Sequence, residues 1–136
     1  MPDAEISPLT FRSVGLGVSD LAKSVDFYTR ICGMTELQTY HLAYMDETIV
    51  GFVVDGVTKG ARLVLMHWTD GSPRNYRDNP VKIVFQVPDA KAFADRIRAE
   101  GYAIPRDPVK SSVSNNTVGF ASDPDGYQIE ILQVNG

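Results

Sequence analysis

The sequence predicts an α+β protein of two tandem βαβββ modules, whose curved mixed sheets form a cleft. Three observations lead to this prediction. Residues 13–34 and 82–104 repeat one order of features, namely a short apolar strand, an Asp, a helical stretch and a Gly. Three further stretches with strand character follow each helix. A polar connector, TDGSPRNYRDNP, separates the two copies.

The predicted organisation is a single domain of 136 residues. Residues 1–10 form an N-terminal arm, 11–68 the first module, 69–80 the connector and 81–136 the second module. The net charge of −4 disfavours a nucleic-acid partner. No segment has the length and hydrophobicity of a transmembrane helix, and the N-terminus lacks signal-peptide features. The single cysteine, Cys32, excludes an internal disulfide and favours a cytoplasmic location.

The two helices have matching start and stop signals. Asp20 and Asp89 are predicted N-caps, because a carboxylate accepts hydrogen bonds from the unpaired N–H groups of a first turn. Gly33 and Gly101 are predicted to end the helices in the left-handed conformation. The apolar residues between these signals recur at helical spacing, at Leu21, Val25, Tyr28 and Ile31 in the first helix and at Ala90, Phe93, Ala94 and Ile97 in the second.

The strands are predicted from β-type residues bounded by turn sequences. A strand containing residues 11–18 opens the first module, and one spanning 81–87 opens the second. The remaining strands are expected at 36–44, 48–54, 61–68, 102–106, 117–121 and 127–134. The segments MDET, DGVTKG, DPVKSSVSN and DPDG are predicted to connect them.

Strand alternation divides each sheet into a face that packs under its helix and an opposite face, which we call the open face. The open faces are predicted to be apolar with a few polar groups, a composition that suits a small-molecule pocket better than a protein interface. The candidate ligand-binding residues on these faces are Ser13, Val64, Met66, Trp68, Gln86 and Gln128, beside the candidate catalytic residues Lys82 and Glu130.

Three stretches, VGLGVSDLAKSVDFYTRICGM, IVFQVPDAKAFADRIRAEG and VGFASDPDGYQIEIL, resemble the vicinal oxygen chelate superfamily. This superfamily includes glyoxalase I, extradiol dioxygenases, fosfomycin-resistance enzymes and bleomycin-binding proteins. The resemblance implies one glyoxalase-like domain and a homodimer, because members commonly pair or exchange modules across a two-fold axis. Metal-binding members of the superfamily usually hold their ion with four residues, one on the first strand and one on the last strand of each module. Those positions fall on Ser13, Val64, Lys82 and Glu130.

At these four positions, in this order, metal-binding members typically have His, then Glu or Gln, then His, then Glu. Only Glu130 has the residue type that they carry. Valine offers no donor atom, and a protonated lysine repels a cation. The chain has two histidines, His41 and His67, and alternation places His67 opposite to Val64 on its strand. We therefore expect no metal and no cofactor.

Lys82 and Glu130 lie on the first and last strands of the second module, which are neighbours in this topology. An isolated buried carboxylate is unfavourable, so we expect the two side chains to form an ion pair. Alternatively, Lys82 extends to solvent and leaves Glu130 without a partner.

The expected function is metal-free binding of a small organic ligand, aromatic or anionic, in a groove lined by Lys82 and Glu130, with Trp68 available to stack on a planar group. The alternative is a lyase- or isomerase-type enzyme with Glu130 as general base and Lys82 as electrostatic stabiliser. An extradiol dioxygenase is disfavoured, because the resemblance then requires two His and one Glu on iron.

Overall fold

A computed structural model describes residues 9–136 of the chain. Helix α1 spans Leu21–Asp26 and continues as a π-helical segment, Phe27–Ile31, and helix α2 spans Ala90–Ala99. The strands are β1 Ser13–Gly17, β2 Thr35–His41, β3 Met45–Val54, β4 Val57–Trp68, β5 Lys82–Gln86, β6 Arg106–Lys110, β7 Thr117–Ser122 and β8 Gln128–Gln133. No helix in residues 9–136 is long and apolar enough to span a bilayer.

The strands form two four-stranded mixed sheets, ordered β1-β4-β3-β2 and β5-β8-β7-β6. The first and last strands of each module pair in parallel, and the other pairs are antiparallel. This arrangement confirms the predicted α+β class with two tandem βαβββ modules. Most of the predicted N-terminal arm, residues 1–8, lies outside the described residues.

The predicted helix signals are confirmed. The Asp20 carboxylate accepts from the Lys23 N–H at 3.1 Å, and Asp89 accepts from the Ala92 N–H at 3.0 Å. Gly33 has a φ of 92°, in the region that favours glycine. Sequence periodicity did not predict the π-helical segment after α1. Its wider turn buries the side chains of Phe27, Tyr28 and Ile31 together.

The two modules share one hydrophobic core. Phe85 on β5 contacts rings from both modules. It packs edge-to-face against Phe52 of the first module, with ring centroids 5.8 Å apart, and against Phe93 of α2 at 6.0 Å. Tyr28 lies on the same cluster, 6.3 Å from Phe85. Each module therefore covers apolar side chains of the other.

The turn between β7 and β8 also joins the modules. Asp123, only 3% exposed, accepts hydrogen bonds from the Tyr28 hydroxyl at 2.7 Å and from the Asp125 and Tyr127 N–H groups. Burial raises the pKa of the Asp123 carboxyl, and these three hydrogen bonds oppose that rise. The Tyr127 hydroxyl donates to the Gly17 carbonyl of β1 at 2.8 Å. The DPDG sequence is thus a turn, as predicted, and a polar link between the repeats.

The prediction that MDET forms a turn is wrong. Met45 begins β3, and the chain reverses through residues 42–44 instead. Cross-strand pairing places Asp46 opposite His41, and their side chains lie 2.9 Å apart. The polar residues after Met45 resemble a turn sequence, but they belong to β3, where Asp46 pairs with His41 across the hairpin.

The predicted position of the second module's second strand is also wrong. The strand was expected at 102–106, but β6 begins at Arg106 and uses the first half of the segment assigned to a loop. Pro108 is tolerated there because β6 is an edge strand with a bulge between Arg106 and Val109. The other predicted strands are present with shifted ends; β4, for example, begins at Val57, four residues before its predicted start at Ala61.

Candidate functional site

The centre of the candidate site is an ion pair on the open face of the second sheet. The Lys82 ammonium lies 2.9 Å from the Glu130 carboxylate. Strands β5 and β8 bring them together. Parallel pairing places Val84 beside Glu130, and Lys82 lies two residues before Val84, on the same face of β5. The Glu130 side chain is 16% exposed and that of Lys82 is 49% exposed. The pair is therefore mostly buried at its acidic end and open to solvent at its basic end, and the two side chains meet as the sequence predicted.

Glu130 also borders a concave depression of about 610 Å³, which we call the Glu130 cavity. Register pairs Arg106 with Phe120, Phe120 with Glu130 and Glu130 with Val84, so these side chains form one row across the sheet. The cavity is lined by Arg106, Val109, Lys110, Val118, Phe120, Glu130 and Leu132, and by the loop residues Ser111, Ser112, Val113, Ser114 and Asn116.

Two cations at this cavity are not neutralised by their surroundings. Within residues 9–136, neither Arg106 nor Lys110 makes an ion pair, whereas Glu130 is already paired with Lys82. The cavity therefore combines an apolar floor around Phe120 with an excess of positive charge at β6.

Sequence reasoning missed Arg106, Lys110 and Phe120. Alternation along TVGFAS places Val118 and Phe120 on one side of β7, but only the register with β8 shows that this is the side of Glu130. Arg106 and Lys110 were missed because β6 was placed too early in the chain.

The open face of the first sheet is lined separately. Ser13 is half-buried and borders a small cavity of about 290 Å³ formed by residues of the first module alone, with Arg62, Gln38 and Tyr40 among them. Register places Val64 beside Gly15 and Met66 beside Gly17. Ser13 and Glu130 thus line different cavities in one chain.

Trp68, at the end of β4, has one face of its indole ring covered. The Arg74 guanidinium lies 4.4 Å from the ring centroid, a cation–π contact. The Trp68 backbone N–H donates to the Tyr76 hydroxyl at 3.2 Å. His67 Nδ1 lies 2.9 Å from the Val18 carbonyl oxygen, and its ring stacks on Tyr76. The connector therefore folds onto the end of the first sheet and covers one face of the ring that was predicted to stack on a ligand.

The two glutamines lie in different surroundings. Gln128 is exposed and pairs in register with Lys82, so it lies at the basic end of the ion pair. Gln86 borders two cavities that do not include Glu130. One, of about 320 Å³, lies beside β5 and α2. The other, of about 380 Å³, lies between β4 and β5 and is also lined by Lys82.

The side chains at the four superfamily positions do not fit a divalent metal. Within the described part of the chain, no three His, Cys, Asp or Glu side chains cluster. Val64 has no donor atom, and the ammonium of Lys82 already contacts the Glu130 carboxylate that would bind a cation. A serine hydroxyl and one neutralised carboxylate are too few donors for tight binding.

Comparison with known proteins adds a family to this geometry. The family model described as Glyoxalase/Bleomycin resistance protein/Dioxygenase superfamily matches residues 10–131. A probable lactoylglutathione lyase of Vibrio cholerae is 30% identical over 118 residues, covering 87% of this chain and 86% of the relative. A lactoylglutathione lyase of Pseudomonas aeruginosa is 31% identical over 157 residues, covering 98% and 88%.

Solved structures share the fold at lower identity. Glyoxalase I from Zea mays superposes with a TM-score of 0.79 at 21% identity, covering 93% of this chain and 45% of the maize chain. TnmS3, an antibiotic binding protein from Streptomyces sp. CB03234, has a TM-score of 0.73 at 22% identity and covers 96% and 100%. These likenesses show a common architecture.

Proposed function

This chain belongs to the Glyoxalase/Bleomycin resistance protein/Dioxygenase superfamily, and we propose that it is a metal-free member that binds a small organic ligand, aromatic or anionic, in the groove at Lys82 and Glu130. The observation that carries the proposal is the ion pair. An ammonium 2.9 Å from the carboxylate supplies the positive charge that a metal supplies elsewhere in the superfamily. The residue types at the four positions then favour an organic occupant over a cation.

The Glu130 cavity supports the ligand class. Its volume of about 610 Å³ lies within the range of small-molecule pockets, roughly 300–1,000 Å³. Phe120 offers an aromatic surface for a planar group, and Val118 and Leu132 extend the apolar floor. Because Lys82 is engaged with Glu130, a negatively charged group on the ligand is bound by Arg106 and Lys110.

We include a homodimer in this proposal. Ser13 and Glu130 line different cavities of one chain, so a two-fold partner that sets its first open face against the second open face of this chain would close the groove. Val14 and Val84, on the first strand of each module, are both 47% exposed and supply apolar contact surface. A cytoplasmic location, expected from the single Cys32, belongs to the same proposal.

The alternative function is a lyase or isomerase. It is supported by curated relatives of 30–31% identity that are lactoylglutathione lyases, and by the carboxylate at position 130. In that case Glu130 removes a proton from a carbon next to a carbonyl, and the Lys82 ammonium stabilises the resulting oxyanion. The ion pair weighs against it, because the Glu130 carboxylate that would accept the proton is already bonded to the Lys82 ammonium.

The ligand proposal is tested with one aromatic anion and its neutral analogue. Naphthalene-2-carboxylate is expected to raise the Tm of the protein, whereas naphthalene-2-carboxamide raises it less. Arg106→Gln is expected to weaken carboxylate binding about tenfold, because a charge-assisted hydrogen bond is lost. Lys91→Gln is the matched control, since Lys91 lies on α2, away from the Glu130 cavity. Equal affinity of wild type and Arg106→Gln would contradict the ligand assignment.

Metal content and turnover decide between the two functions. The purified protein is expected to contain no stoichiometric divalent metal by elemental analysis. It is also expected not to isomerise the hemithioacetal of methylglyoxal and glutathione. Turnover that is abolished in Glu130→Gln would establish the lyase alternative. A bound metal that is lost in the same variant would overturn the metal-free premise.

A further inference from the structure

A second cavity lies at the seam between the modules, away from Glu130. Its volume is about 320 Å³, and we call it the seam cavity. Its wall comes from both repeats: Cys32 and Phe52 belong to the first module, and the rest to β5, α2 and the loop between them in the second. The lining residues are Cys32, Phe52, Gln86, Val87, Pro88, Asp89, Ala92, Phe93 and Arg96.

The wall of the seam cavity is mainly apolar. Phe52 and Phe93 both pack against Phe85, so their positions are fixed by the shared core. The Cys32 side chain is 3% exposed, and burial raises the pKa of its thiol, so the wall presents a neutral sulfur there. A rigid apolar surface of this kind binds a hydrocarbon group without reorganisation.

Arg96 is the exception in this wall. Its guanidinium carbon lies 5.6 Å from the centroid of the Phe93 ring. The other basic residues of α2 are paired with carboxylates, Lys91 with Asp95 and Arg98 with Asp95 and Asp107. Within residues 9–136, Arg96 makes no ion pair.

The acidic residue of the wall lies at the opposite end of α2. Asp89 precedes Arg96 by seven residues, about 10 Å along a helix axis. Its carboxylate is committed to the helix cap, where it accepts from the Ala92 N–H. The cavity is therefore polarised, with an unpaired guanidinium at one end and a hydrogen-bonded carboxylate at the other.

We propose that the seam cavity is a second ligand site, which binds a small hydrophobic monocarboxylate with its hydrocarbon group against Phe52 and Phe93 and its carboxylate on Arg96. The charge selects the class of ligand, since a guanidinium beside apolar walls favours a planar anion with an apolar body. The volume of about 320 Å³ restricts the ligand to a small one. This site is independent of the proposed function at Glu130.

The test uses phenylacetate and phenylacetamide, which have the same shape and differ in charge. Each is titrated into the isotopically labelled full-length protein, and backbone amide shifts are followed by NMR. Phenylacetate is expected to produce saturable shifts at Val87, Ala92 and Phe93. Arg96→Gln is expected to weaken phenylacetate binding about fivefold, as for a partly exposed charge pair, and to leave phenylacetamide binding unchanged.

Two further variants isolate the site. Ala92→Leu places a larger side chain in the cavity wall and is expected to abolish binding of both compounds, while Glu130→Gln is expected to leave it intact. Lys91→Gln matches the charge change of Arg96→Gln on the same helix, outside the wall. The proposal is overturned if phenylacetate shifts only residues of the Glu130 cavity, if Arg96→Gln and wild type bind it equally, or if no saturable shift occurs.

Discussion

Gly119 on β7 has a neighbour that leaves no room for a side chain. A Cβ atom built there would lie 2.7 Å from Pro108 Cγ, 2.8 Å from its N and 2.9 Å from its Cα. Ordinary van der Waals contact begins at 3.4 Å, so β6 would have to move away by roughly half an ångström. Two of the three atoms belong to the backbone of Pro108, so no side-chain rotation relieves the clash.

Gly119→Ala is therefore expected to lower the free energy of unfolding by about 1–3 kcal/mol, the range for overpacked sites. Gly15→Ala is the matched control. A Cβ at Gly15 would lie just as close to a neighbour, 2.8 Å from Met66 Cε and 3.1 Å from its Sδ, but these atoms end a flexible side chain. The control is expected to stay within about 0.5 kcal/mol of wild type, because Met66 can change rotamer and alanine restricts the unfolded chain.

Urea unfolding followed by circular dichroism measures both variants. The linear dependence on urea gives the free energies, and an unchanged slope shows that the native state has kept its compactness. Because β6 carries Arg106, the Gly119→Ala variant is also expected to bind naphthalene-2-carboxylate more weakly. The reasoning is refuted if Gly119→Ala is as stable as wild type, or if Gly15→Ala loses as much stability as Gly119→Ala.

Further predictions concern three buried or half-buried polar groups. Tyr28→Phe removes a hydrogen bond that lowers the pKa of Asp123, so the pKa of that carboxyl rises further. The variant is expected to lose about 1–3 kcal/mol of unfolding free energy at pH 7. This loss is expected to shrink towards about pH 3.5, where the carboxyl is protonated. Urea unfolding at both pH values checks this, and an equal loss at both would contradict it. Lys82→Ala combined with Glu130→Gln in a double-mutant cycle is expected to give a coupling free energy of about 1 kcal/mol, because Lys82 is half exposed; additive effects would show that the pair contributes nothing. The Cys32 thiol is expected to react slowly with a thiol reagent in the native protein and rapidly in urea, since burial raises its pKa, and a fast native reaction would disprove its burial.

The sequence was sufficient for those features that follow from connectivity. In a βαβββ module the first and last strands are neighbours, so the chain order alone places Lys82 and Glu130 together. The N-caps Asp20 and Asp89 were predictable for a similar reason, because their hydrogen bonds reach only three residues along the chain.

Features that depend on register between distant segments could not be predicted. Phe120 reaches the Glu130 cavity because β7 pairs with β8 in one particular register, and Arg106 does so through a bulge in β6. Pro108 and Asp107 resembled loop residues locally, since only tertiary structure shows that β6 is an edge strand. Arg74 could not be assigned to the Trp68 ring because the connector has no regular periodicity.

The hydrogen bonds around Asp123 determine whether the two modules can be separated. A turn of the second repeat holds the Tyr28 hydroxyl of the first, and Tyr127 is bonded to Gly17 of β1. Each module therefore supplies hydrogen-bond partners and apolar contacts to the other. Without them, buried polar atoms would lack partners and aromatic rings would be exposed. The two modules depend on each other, so separate chains cut within the connector are not expected to be stable.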